Sequence, residues 1–63
     1  MHNNTYNITR QLVEENTSLW RIQNEYLKDA EGNAELTAFW NKLAEDKKQH
    51  IADLQALLKK ELA

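Results

Sequence analysis

One glycine and no proline punctuate this chain of 63 residues. Gly32 stands in Ala30-Glu31-Gly32-Asn33, at the middle, and is the only residue that clearly breaks a helix. A glycine just past a helix end takes the left-handed backbone conformation without a Cβ clash. Asn33 then suits the N-cap of a second helix, with Glu35 in its first turn, where a carboxylate complements the helix dipole. Asn3, Asn4 and Thr5 each offer a cap for a first helix, and Lys59 and Lys60 match the negative end of the second. The sequence thus predicts one all-α domain over 1–63: a helix over 5–30, a turn at 31–33 and a helix over 34–62. No strand-like alternation competes with that reading. Each rod is ~40 Å long at ~1.5 Å per residue.

On a helical wheel the first helix gathers Ile8, Leu12, Leu19, Trp20, Tyr26, Leu27 and Ala30 on one face, with Val13 at its edge. The second gathers Leu36, Phe39, Trp40, Leu43, Ile51, Leu54, Leu57 and Leu58, with Ala44 and Leu62 at the edge. Both stripes are broad, of the bundle type rather than a two-position seam. A two-helix antiparallel hairpin covers only part of each stripe. The remaining apolar strip is of the kind monomers avoid, and a second copy is the least costly cover. The expected assembly is a homodimeric four-helix bundle, with these residues forming its core and interface.

Four polar residues interrupt the stripes: Asn16 and Gln23 in the first helix, Lys47 and His50 in the second. With the turn at 31–33, antiparallel partners sum to about 64. Asn16 then faces Lys47, and His50 comes near Val13 and Glu14. Glu15, at the stripe edge, is within reach of both Lys47 and His50. One expectation is a buried polar layer of Asn16, Gln23, Lys47 and His50 that fixes register. A second is that Lys47 lays its methylenes on the core while its ammonium reaches water or Glu15. A third is a metal or small-ion site with Glu15 and His50 as ligands, which the charge of Lys47 opposes.

The absence of cysteine excludes disulfides and Cys-based zinc sites. A net charge of −2 and a mean hydropathy of −0.82 give no electrostatic case for nucleic acid or an anionic membrane. There is no long apolar run and no basic-then-apolar leader, so a complete, cytoplasmic chain is expected. No phosphate loop, Ser-His-Asp arrangement or Cys nucleophile can be assembled. His2 reads as a solvated terminal histidine. The glycosylation patterns at Asn3, Asn7 and Asn16 read as chance matches. Lys47-Lys48 and Lys59-Lys60 are interleaved with acids, as on a solvated face.

The run from Ala34 to Leu54, with Phe39-Trp40, Leu43-Ala44, Glu45-Asp46 and His50, resembles the second helix of rubrerythrin-like hairpins in the ferritin-like superfamily. Tyr26 and Ala30 before an acidic turn resemble that family's first helix, and the likeness covers about 14–54. In the family a Glu on helix one and a Glu-x-x-His pair on helix two bind iron. His50 matches the histidine, but Lys47 stands at the glutamate position, and Glu14, Glu15 or Asn16 matches the helix-one ligand. The resemblance implies the hairpin and its four-helix association, and it argues against an intact di-iron centre. The expected protein is non-enzymatic and cofactor-free, with a structural or protein-interaction role. The alternatives are a metal-binding protein using Glu15 and His50, and a regulator that exchanges its homodimer for a heteropartner helix.

Overall fold

The computed structural model describes residues 3–63; the His2 expectation lies outside them. Helix α1 spans Asn4–Arg21, and the chain continues through a π-helical turn at Ile22–Tyr26 into α2, Leu27–Asp29. Together these form the first arm of a hairpin. The second arm is α3, Ala34–Leu62. The first arm begins at Asn4 rather than Thr5, with the Asn7 amide donating to the Asn3 carbonyl at 2.8 Å. Among the described residues there is no strand, and no helix is long and apolar enough to cross a membrane.

The reversal follows from local chemistry. Gly32 has φ +89°, which glycine adopts without steric cost. The Asn33 amide donates to the Ala30 carbonyl at 2.9 Å, closing the turn. The Asn33 side chain in turn accepts from the Leu36 amide at 3.0 Å, capping α3. Thr37 adds a tie between the arms, its hydroxyl donating to the Ala30 carbonyl at 3.1 Å.

The molecule is a rod of 49 × 15 × 14 Å. Its two arms meet along one narrow seam. From the first arm Ile8, Leu12, Glu15, Leu19 and Ile22 enter at alternating steps of four and three; from α3 come Thr37, Trp40, Ala44, Lys47, Ile51, Leu54 and Leu58. That spacing is the two-position seam of a coiled coil. Only Ile22, Ala30 and Ala44 are buried apolar residues among those described, with Ile22 at 0% exposure. Two helices form one layer, and a single layer cannot enclose a core.

The π-helical turn keeps the seam continuous toward the reversal. The Leu27 amide donates to the Ile22 carbonyl, five residues back, so one extra residue is accommodated. Tyr26 and Ala30 therefore re-enter the seam at steps of four. Tyr26 packs on Trp40 with ring centroids 4.9 Å apart, and Phe39 meets the same indole edge-on at 5.4 Å.

In the single chain two placements on the first arm differ from those the wheel gives. The seam is centred on Glu15 and Ile22, one residue before Asn16 and Gln23. Both amides are exposed, and Asn16 donates to the Leu12 carbonyl of its own helix at 2.8 Å. Trp20, expected in the core or at the dimer interface, lies outside the seam and is 56% exposed in the single chain. The reason lies in which residues set the stripe. At a uniform angle of about 100° per residue, Trp20 and Leu27 lie well to one side of Ile8, and counting them while leaving out Ile22 moves the centre of the stripe toward Trp20. On α3, Leu36, Phe39 and Leu57 are likewise exposed in the single chain, whereas Trp40, Leu43, Ile51, Leu54 and Leu58 are half-buried.

Candidate functional site

Halfway along the seam, where an apolar layer belongs, α1 contributes Glu15 and α3 contributes Lys47. The Lys47 Nζ donates to Glu15 Oε2 at 2.9 Å, and the two side chains are 18% and 10% exposed. The other carboxylate oxygen, Oε1, accepts from Gln11 Nε2 at 3.2 Å. His50 Nδ1 lies 3.5 Å from that same oxygen, with its ring half open to solvent. Heptad position decides these contacts. Gln11 sits one turn before Glu15, and His50 lies close to one turn beyond Lys47, so all four converge on one level of the rod.

A carboxylate withdrawn from water needs a countercharge and hydrogen-bond donors. Glu15 has both, and its pKa is held below the ordinary value of 4.5. The hydrogen bond from Lys47 is the largest cause, with the Gln11 bond, the Lys47 charge and His50 lowering it further and burial opposing. Among the described residues no buried side-chain nitrogen or oxygen lacks a partner. The buried polar atoms at this level are therefore hydrogen-bonded within a single chain.

Of the four residues expected to share a buried polar layer, Lys47 is half-buried, His50 is exposed on the rim, and Asn16 and Gln23 lie outside it. Glu15 and His50 do adjoin, but the carboxylate is committed to an ammonium. Among the described residues no three His, Cys, Asp or Glu side chains are grouped as a metal site would need. The wheel missed Gln11 as a donor and Ile22 as the centre of the seam. Gln11 was readable from its position four residues before Glu15, and Ile22 from its step of one heptad beyond Glu15.

The hairpin's other conspicuous surfaces are apolar. Tyr6, Val13 and Trp20 stand out from α1, and Leu36, Phe39 and Leu57 from α3. An open hollow of about 360 Å³ lies beside Asn33, Glu35, Leu36 and Phe39. No protein-family model, curated protein or solved structure matches this chain.

Proposed function

We propose that this hairpin is one half of a homodimeric four-helix bundle with a structural or protein-interaction role, rather than an enzyme. The supporting observation is its surface. A folded globular monomer of 7.4 kDa exposes about 4,200 Å² by the usual scaling, and the hairpin exposes 4973 Å². The excess, about 800 Å², is what one partner contributes to a standard protein interface. The exposed large apolar side chains of α3, Phe39 at 57% among them, are the part of that surface a partner would remove from water.

The polar layer fits the same reading. A Glu–Lys pair in an otherwise apolar seam does nothing chemical on its own, yet it penalises every register that separates the two charges. Folding coupled to association has a simple signature: the thermal midpoint rises with protein concentration. Circular-dichroism melts over about a hundredfold dilution series should show that rise. A midpoint independent of concentration would remove the support for a dimer.

A further inference from the structure

We infer that the second copy docks on the outward face of α3, antiparallel, about a two-fold axis at Lys47; this rests on the homodimer reading above. That face carries Leu36, Phe39, Leu43, His50 and Leu57, with the half-buried Leu54 on its border with the seam. The steps between them are 3, 4, 7, 4 and 3 residues, the same in either direction. An isologous pair of antiparallel helices requires that symmetry, because each residue must meet its mirror in the sequence order. Leu36 then meets the partner's Leu57, Phe39 the partner's Leu54, and Leu43 the partner's His50. The hollow beside Leu36 and Phe39 lies where the partner's Leu57 arrives.

Charge gives an independent reading of the same axis. At about 100° per residue, Glu35, Lys42, Asp53 and Lys60 share the flank of α3 farthest from the first arm. All four are exposed. Their signs run minus, plus, minus, plus, and their steps of 7, 11 and 7 are again the same in both directions. In an antiparallel pair like flanks face each other. Glu35 therefore meets the partner's Lys60, and Lys42 the partner's Asp53, each twice. In a parallel pair that flank would face the opposite flank of the partner helix, and neither of these pairings would form. The apolar row centres between Asp46 and Lys47, and the charge row between Lys47 and Lys48. Both centres adjoin Lys47.

That axis also sets the two Glu15–Lys47 pairs side by side, four charges summing to zero at the middle of the bundle. The alternative face, on α1, offers only Tyr6, Val13 and Trp20, one residue per two turns, with polar Thr9 and Asn16 between them.

The test uses the chain's lack of cysteine. Single variants Asp46→Cys and Val13→Cys are each treated with a short bis-maleimide, and the mass of the unmodified chain is measured by light scattering. A residue beside a two-fold axis crosslinks to its own copy, so Asp46→Cys should give a covalent dimer and Val13→Cys should not. In parallel, Lys42→Glu should raise the dimer dissociation constant about fivefold, with Asp53→Lys in the same chain restoring it. A dimer that crosslinks through Val13→Cys, or through neither site, overturns this register while leaving the homodimer reading intact. A chain that stays at 7.4 kDa at every concentration overturns both.

Discussion

Lys47 and Glu15, 32 positions apart in the chain, meet across the hairpin at 2.9 Å. The Arg10–Glu14, Lys42–Asp46 and Lys48–Glu45 pairs join neighbours three or four positions apart on one helix, where solvent screens them. Among the described residues the Glu15–Lys47 pair alone carries two opposite formal charges into the seam, so it should respond to substitution as those surface pairs do not.

Removing one partner should cost more than removing both. Lys47→Met leaves the Glu15 carboxylate withdrawn from water without its ammonium, and about 2–3 kcal/mol of stability should be lost. The double variant Glu15→Leu/Lys47→Met should recover most of that loss, because an apolar layer of similar volume then fills the seam. Chemical denaturation of the single and double variants at one fixed protein concentration measures both quantities.

Acid should act through the same carboxylate. Its native pKa lies below 4.5, so the folded state binds fewer protons there than the unfolded chain. The contribution of Glu15 is fully present above that value and is lost as pH falls through the native pKa. In Glu15→Gln the acid-side fall in midpoint should flatten relative to the parent chain. Equal slopes below pH ~4.5 would assign the acid sensitivity to other groups.

The side chain at position 22 should matter far more than the one at position 20. Ile22→Ala empties a site with no solvent exposure and should cost about 2–4 kcal/mol. Trp20→Gln alters a side chain that is already more than half in water and outside the proposed interface. Its effect on the midpoint should stay within about 0.5 kcal/mol. A larger Trp20 effect would point to α1 as a docking surface.

These contrasts show what the sequence disclosed and where it stopped. The reversal was legible because Gly32 and Asn33 act locally: one supplies the positive φ and the other caps α3. The meeting of Glu15 with Lys47 and His50 was legible because antiparallel pairing across a short turn leaves little freedom in register. The phase of the first arm was not. The wheel counts Trp20 and Leu27 on the stripe and passes over Glu15, whose charge hides its place in the seam. No residue between Ile22 and Tyr26 announces the π turn that the Leu27-to-Ile22 hydrogen bond marks. The breadth of the apolar stripes was also ambiguous, since a wheel does not separate residues facing the other arm from residues facing a second copy.

The turn offers a local check. A Cβ built at Gly32 meets nothing within 4 Å, so Gly32→Ala should be penalised only through its backbone, by about 1 kcal/mol. Asn33→Ala should cost a similar amount through loss of the cap on Leu36. Thermal melts of the two single variants, at matched concentration, test both.

The most direct measurement is the mass in solution across a dilution series, by light scattering or sedimentation equilibrium. An association that covers the exposed apolar face predicts about 15 kDa, twice the 7.4 kDa of one chain, falling toward the single-chain mass on dilution. A mass of 7.4 kDa at every concentration, with the chain still helical and cooperatively folded, would contradict it.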